Sequence, residues 1–269
     1  MLAGGKGTRL RPLTYTRAKQ LIPVANKPIL FYGLESLAEA GVKDVAIIIG
    51  ETGSEIRHAV GDGSPWGLRV DYIVQPEPLG LAHAVKIAHD YLRDSPFIMY
   101  LGDNIIKEGV KPFVEQFGRE KPNALILLSR VRDPQRFGVA ELSGGRVVHL
   151  VEKPKTPKSD LALVGVYIFD STIFDAVNSI QPSARGEFEI TDAIQYQIDR
   201  SRHVSSFTIT GWWKDTGKLE DLLEANQILL NDLPRRIDGA VDSDSKVDGC
   251  VVIEPGATVA KSTIRGPAI

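Results

Sequence analysis

Apolar residues fall in two textures along this chain. Val45-Ala-Ile-Ile-Ile49 and Phe97-Ile-Met-Tyr-Leu101 are continuous runs, and Val70 to Val74 reads as a further strand between them. Runs without alternation suit strands covered on both faces, as in a parallel sheet. Elsewhere the period lengthens. Pro28 opens a helix that carries Leu30, Leu34, Leu37 and Ala38 on one face and stops at Gly41. Shorter helical patterns run from Ser54 to Val60 and from Leu81 to Leu92. This alternation predicts an α/β domain with a mostly parallel sheet flanked by helices.

The middle of the chain is less regular. A helix is expected from Val110 to Gly118, with strands at Ala124 to Ser129, Val139 to Leu142, Val147 to Val151 and Leu163 to Phe169. Ser143-Gly-Gly145 signals a hairpin. Helices are expected at Ser171 to Ser179 and Glu189 to Arg200, then a strand from Val204 to Ile209. A last helix near Leu219 to Leu230 should turn Leu219, Leu222, Leu223 and Leu230 inward. Beyond it Val241, Val247, Ile253 and Val259 recur every six residues, and the frame breaks at Arg265. A six-residue period predicts hexapeptide coils of a β-helix. The expected division is therefore 1–235 for the α/β domain and 236–269 for the start of a β-helix.

Composition narrows the classes. The chain has 269 residues, 43% hydrophobic and 25% charged, with a net charge of −2. That balance gives no basic footprint for nucleic acid. The single cysteine, Cys250, excludes an internal disulfide and a cysteine-rich zinc site. It fits a reducing, cytoplasmic setting. No apolar run approaches a membrane span, and no signal peptide is read.

The chemistry concentrates where strands end. In open α/β sheets ligands bind outside the carboxyl ends of strands. Met1-Leu-Ala-Gly-Gly-Lys-Gly-Thr-Arg-Leu-Arg-Pro12 leaves a short strand through Gly4, Gly5 and Gly7, then adds Thr8, Arg9 and Arg11. Bare amides and an arginine that cannot discharge make a phosphate cradle, with Lys19 close behind in sequence. The order Gly-Gly-Lys-Gly-Thr-Arg does not fit a P-loop. With Leu10 and Pro12 where a helix would open, it does not fit a dinucleotide fingerprint either. Asp103 and Asp215 each follow an apolar or aromatic segment and sit beside Gly102 or near Gly217. Singly each reads as a turn aspartate. Together they are two hard oxygen ligands, as magnesium takes alongside substrate phosphates. Gln75 carries a donor and an acceptor that could read a base edge, or it is a turn residue. Lys153, between Glu152 and Pro154, is a solvated lysine unless something else joins it.

These stretches resemble a known family. Leu2-Ala-Gly-Gly-Lys-Gly-Thr-Arg-Leu-Arg-Pro-Leu-Thr14 and Lys19-Gln-Leu-Ile-Pro-Val-Ala-Asn-Lys-Pro-Ile29 look like the signature of sugar-1-phosphate nucleotidyltransferases. Gln75-Pro-Glu-Pro-Leu-Gly-Leu-Ala82, Leu101-Gly-Asp-Asn104, Val151-Glu-Lys-Pro154 and Trp213-Lys-Asp-Thr-Gly217 are similar to later motifs of that family, in order. The likeness is strongest to the glucose-1-phosphate thymidylyltransferase branch, in its long form with a C-terminal left-handed β-helix.

The resemblance implies a Rossmann-like fold and transfer of a nucleotidyl group from dTTP to glucose-1-phosphate, with Mg2+. It implies nucleotide contacts at Leu2, Gly4, Gly5, Gly7, Thr8, Arg9, Gln75 and Gly80. Arg9 and Lys19 would hold the leaving pyrophosphate, and Asp103 and Asp215 the metal. Gly138, Glu152, Lys153 and Val164 would hold the sugar phosphate, with Lys153 counted among the catalytic residues. Phe137 stands where many relatives carry tyrosine. A homo-oligomer is expected. Three alternatives stay open: UTP or another triphosphate–sugar pair, a non-catalytic nucleotide-binding relative, and a bifunctional enzyme with an acyltransferase on a longer β-helix.

Overall fold

A computed structural model describes residues 1–269. Its centre is a sheet that the first residues stitch together. Strand β1 (Asp44–Ile49) pairs in parallel with β2 (Arg69–Val74), from Asp44 opposite Arg69 to Ile49 opposite Val74. Leu2 forms parallel bridges to Ile48 and to Leu101, just past β3 (Phe97–Tyr100). After the three-residue β4 (Asn104–Ile106) comes β5 (Ala124–Arg130). The hairpin β6 (Gly138–Ser143) and β7 (Arg146–Glu152) leads to β8 (Leu161–Phe169). Strand β9 (Val204–Thr208) pairs in parallel with β5.

The sheet is mixed. Strand β8 lies between β3 and β5 and runs antiparallel to both, and the hairpin joins it at Ala162 opposite Val139. A parallel neighbour needs a crossover of a dozen or more residues. The segment from β7 to β8 has no helix to cross a face of the sheet, so β8 returns reversed. Reversal is invisible to apolar content, since all nine residues of β8 are buried.

Helices cover both faces, and alternate residues of the strands divide between two cores. Leu125 and Leu127 of β5 pack with Leu30, Leu34 and Leu37 of α1 (Ile29–Glu39). Helix α2 (Gly53–Val60) adds Ile56 and Val60 to the same core. Ala124, Ile126 and Leu128 pack on the other side, against α3 (Leu81–Ile87), α6 (Ile173–Ser179) and α7 (Ile190–Asp199). The single helix expected at 81–92 breaks at Ala88, where α4 (His89–Leu92) begins. Helix α5 (Lys111–Glu120) contributes Phe113 to the first core. No helix is long and apolar enough to cross a membrane.

Strand β10 (Trp213–Asp215) pairs antiparallel with β4. It leads to α8 (Leu219–Asn231), whose inward stripe is Leu222, Ala225 and Leu229. Leu219 and Leu223 are exposed instead, Leu223 by 72%. They lie off the stripe at positions i, i+3 and i+7 that contacts the core.

The last residues pair as three short parallel ladders. Arg236–Ile237 (β11) lies on Val252–Ile253 (β14), Ala240–Val241 (β12) on Thr258–Val259 (β15), and Lys246–Asp248 (β13) on Thr263–Arg265 (β16). The six-residue set falls on these strands: Val241 faces Val259, and Ile253 faces Ile237. Ile264, not Arg265, faces Val247, which accounts for the break in frame. Ala25 N donates to Asn226 Oδ1 at 2.8 Å and Asn26 Nδ2 to Glu254 Oε2 at 3.2 Å, so the turn at Ala25 and Asn26 touches both α8 and the coils.

Candidate active site

The glycine loop is shaped by what would collide with a side chain. A Cβ on Gly50 would sit 2.7 Å from Gly4 O, so two loops cross backbone to backbone there. A Cβ on Gly5 would lie 3.0 Å from Lys19 Cε. Gly7 has φ 64°, and its carbonyl accepts from Thr14 Oγ1 at 2.7 Å. The chain then makes a 3-10 turn, Thr8–Leu10, in which Leu10 is buried with Leu222 while Thr8 and Arg9 stay exposed. A 3-10 turn at Lys19–Leu21 lays the Lys19 side chain along the glycines and aims Nζ at Asp103, with which it forms an ion pair.

Pairing of β4 with β10 sets Asp215 opposite Asn104, one residue from Asp103. Thr216 fastens the junction. Its N and Oγ1 donate to Asp103 O at 3.0 and 2.7 Å. Asn104 is 2% exposed and serves three partners. Its Oδ1 accepts from Trp213 Nε1 at 2.6 Å and Gly165 N at 3.2 Å, and its Nδ2 donates to Asp103 Oδ1 at 3.0 Å. Asp215 Oδ1 accepts from Gly217 N at 3.0 Å. Arg9 Nη2 lies 3.1 Å from where a Gly217 Cβ would stand, so the guanidinium rests against this turn.

The two carboxylates titrate apart. Burial pushes the Asp215 carboxyl up to about 6, helped by the negative charge of Asp103 and opposed by Lys19 and Arg9. Burial acts on Asp103 in the same sense, but the charge and hydrogen bond of Lys19 outweigh it and hold that carboxyl below its ordinary range. Two desolvated carboxylates side by side repel each other unless a cation joins them. No group of three or more His, Cys, Asp or Glu could hold a metal anywhere in the chain. The pair therefore suits a hard divalent cation that draws its other ligands from substrate oxygens and water.

The same cavity continues to the hairpin. Arg9, Asp103, Asn104, Asp215, Trp213, Arg136, Phe137, Gly138, Glu152 and Lys153 all line it. Lys153 has φ 42°, an uncommon conformation for a residue with a side chain. It is held by Lys153 N donating to Phe137 O at 3.0 Å, and its Nζ lies 3.1 Å from Glu152 Oε1. Thr191 Oγ1 donates to Glu152 Oε2 at 3.3 Å, and Arg185 Nη1 is 3.7 Å from Glu152 Oε1. A Cβ on Gly138 would be 2.6 Å from Thr191 Cγ2 and 3.2 Å from Glu152 Oε2, so a bare backbone is required beside this acid.

One expected contact needs correcting. Val164 is fully buried in the core on the α1 side, whereas its neighbours Leu163 and Gly165 line the cavity. The register with β5 slips between Leu163 and Tyr167, so any contact from Val164 comes from backbone. Leu2 has both polar backbone groups in the sheet, N to Tyr100 O at 2.8 Å and O from Gly102 N at 2.9 Å, which leaves a second carbonyl lone pair and the apolar side chain for any nucleotide contact. Gln75 stands by the glycine loop. Its Nε2 reaches Gly80 O at 3.3 Å and His83 Nδ1 at 3.0 Å, and its Oε1 lies 3.6 Å from a Cβ built on Gly4. Gly80 has φ 103°, and a Cβ there would meet Phe188 O at 2.5 Å.

Asn104 and Trp213 stood inside quoted motifs without an assigned role, and Arg136 and Arg185 were not read at all. Trp213 and Asn104 meet only through the pairing of two three-residue strands, too short to show a period. Arg136 stands beside Phe137-Gly138, and that adjacency was the one available signal.

A three-layer α/β fold, with a glycine loop, a carboxylate pair and a cluster of cations at the strand ends, is the frame of an enzyme that handles phosphorylated nucleotides. The nucleotidyl transferase family matches residues 1–232, and the chain belongs to it. It is 58% identical over 272 residues to a glucose-1-phosphate thymidylyltransferase of Streptomyces antibioticus, covering 100% of this chain and 76% of that protein. It is 49% identical over 259 residues to the low-salt glycan biosynthesis nucleotidyltransferase Agl11 of Haloferax volcanii, covering 96% of this chain and 72% of that protein. Among solved structures, a glucose-1-phosphate thymidylyltransferase from Bacillus anthracis with bound sucrose superposes with TM-score 0.80 at 36% identity, over 84% of this chain and 92% of that one. UDP-glucose pyrophosphorylase with UDP-glucose superposes with TM-score 0.76 at 25% identity, over 85% and 96%.

Proposed function

We propose that this nucleotidyltransferase moves a thymidylyl group from dTTP to glucose-1-phosphate, giving dTDP-glucose and pyrophosphate. The observation that carries the reading is the β4–β10 pairing, through which Asp103, Asp215 and Arg9 share one cavity with Glu152 and Lys153, with Lys19 ion-paired to Asp103. The names of the most similar relatives supply the substrates.

A phosphate oxygen of glucose-1-phosphate attacks the α-phosphorus of dTTP in line. The bond to the bridging oxygen breaks, and its electron pair leaves with pyrophosphate. The nucleophile is already an anion, so no general base is needed. The barrier is repulsion between anions and charge growing on the leaving group, which positioning and cations relieve. The amides of Gly4, Gly5, Gly7 and Thr8 cradle the phosphates. Arg9 and Lys19 neutralise the departing pyrophosphate. Gln75 and the Gly80 backbone face the base, Glu152 and Gly138 face the sugar, and Lys153 takes its phosphate. Magnesium, when bound by Asp103 and Asp215, offsets triphosphate charge.

The same reading takes residues 1–235 as the catalytic domain and 236–269 as the opening of a left-handed β-helix, in a cytoplasmic homo-oligomer. UTP is the second candidate triphosphate. A Gln75 amide meets uracil and thymine alike, and UDP-glucose pyrophosphorylase shares the fold. Pyrophosphate release with magnesium, measured across dTTP, UTP, ATP and GTP against several sugar-1-phosphates, tests the proposal. Preference for dTTP with glucose-1-phosphate supports it. Preference for UTP replaces the nucleotide only, and silence of every pair removes the enzyme reading.

A further inference from the structure

Arg136 is the cation of this cavity with no part in the scheme so far. It sits in a 3-10 turn, Pro134–Arg136, that ends where β6 begins. Its Nη2 reaches Asp221 Oδ2 of α8 at 2.6 Å, its guanidinium lies 5.4 Å from the Phe137 ring centre, and it lines the cavity beside Gly138, Glu152 and Lys153. Asp221 is the only carboxylate in contact with it; Asp133 and Asp215 act on it from farther off. Arginine carries five N–H donors in a fixed fork. Only Nη2 is used, and Nε and Nη1 have no partner, although the side chain is just 27% exposed. A brace between a loop and a helix would need no opening onto the cavity. A planar fork with idle donors, facing a cavity, is what two-point recognition of a phosphate uses.

We propose that Arg136 is a further binding residue for the phosphate of the sugar-1-phosphate, and that Asp221 is its positioning residue. The inference rests on the reading of the site given above. The sugar's phosphate is assigned because Arg136 lies on the hairpin side of the cavity. Lys153 N bonds Phe137 O there, which ties the Arg136 turn directly to the lysine read as holding that phosphate. Asp221 holds one nitrogen and leaves the others for the ligand. Phe137 supports the guanidinium from its face.

The test compares wild type with R136M, R136K, D221N and the double variant D221N/R136M. Steady-state pyrophosphate release gives KM for each substrate, calorimetry gives binding of glucose-1-phosphate and of glucose, and melting temperature reports the fold. R136M should raise KM for glucose-1-phosphate at least about tenfold, the scale of one hydrogen bond to a charged group. It should leave KM for dTTP within about twofold and melting within a few degrees. R136K should recover part of the loss, since it keeps charge but not the fork. D221N should show a smaller rise that vanishes in the R136M background. Glucose binding should be indifferent to Arg136. An unchanged glucose-1-phosphate KM with a lowered melting temperature in both single variants would make the pair a brace and overturn the proposal. A wild type that turns over normally while R136M weakens both substrates equally also overturns it and leaves the parent reading intact. A wild type that neither binds glucose-1-phosphate nor releases pyrophosphate removes the parent reading and this one with it.

Discussion

Replacing Asn104 by alanine probes the junction that brings the two aspartates together. The substitution strands two buried donors, Trp213 Nε1–H and Gly165 N–H, and deletes the donor to Asp103 Oδ1. An orphaned buried donor costs about 1–3 kcal/mol, and a hydrogen bond to a charged group is worth about 1.5–3 kcal/mol. Water entering the vacated volume will satisfy part of this, so the expected loss is about 3–5 kcal/mol. Urea denaturation reads it as a lower midpoint at unchanged slope. Folded Asn104→Ala protein should also turn over at least about tenfold more slowly, because Asp103 loses a fixed orientation. A loss below about 1 kcal/mol, with normal turnover, would refute the idea that Asn104 organises the site.

Three further outcomes are expected. Arg9→Ala should cut turnover at least about a hundredfold, the scale of one well-placed donor, with circular dichroism and melting unchanged. Gly80→Ala should unfold at lower temperature and bind dTTP more weakly, since a Cβ there sits 2.5 Å from Phe188 O in a conformation of φ 103°; fluorescence melting and dTTP titration both read this. Chelation should abolish pyrophosphate release, and added magnesium should restore it, while far-UV circular dichroism stays constant because the cores do not depend on the metal pair.

The continuous apolar runs at 45–49 and 97–101 betrayed a covered sheet, and the glycines from Gly4 to Gly7 betrayed a tightly packed loop at a strand end, because burial and backbone freedom both act on residue type. Direction does not. Strand β8 is as apolar as its neighbours, so its reversal emerged only with the connection from β7 that carries no helix. Asp103 and Asp215 were legible as candidates one by one. Their joint role was expected from magnesium chemistry and from the resemblance, but the means of their meeting was not legible, because it depends on two three-residue strands far apart in sequence. Val164 was carried over from the resemblance: alternation turns its side chain into the core while Leu163 and Gly165 take the cavity. Arg136 stayed hidden because its weight comes from Asp221, which lies on another element.

The central claim is that the glycine loop, the aspartate pair and the Glu152–Lys153 corner form one site for nucleotidyl transfer. Phosphorus NMR of dTTP, glucose-1-phosphate and magnesium with the protein tests this most directly. The account predicts pyrophosphate and a sugar-linked diphosphate rising in equal amounts as both substrates disappear, and rising at least about a hundredfold more slowly when Arg9→Ala replaces the wild type. Release of inorganic phosphate and dTDP with glucose-1-phosphate untouched, or wild-type rates from the Arg9→Ala protein, would contradict it.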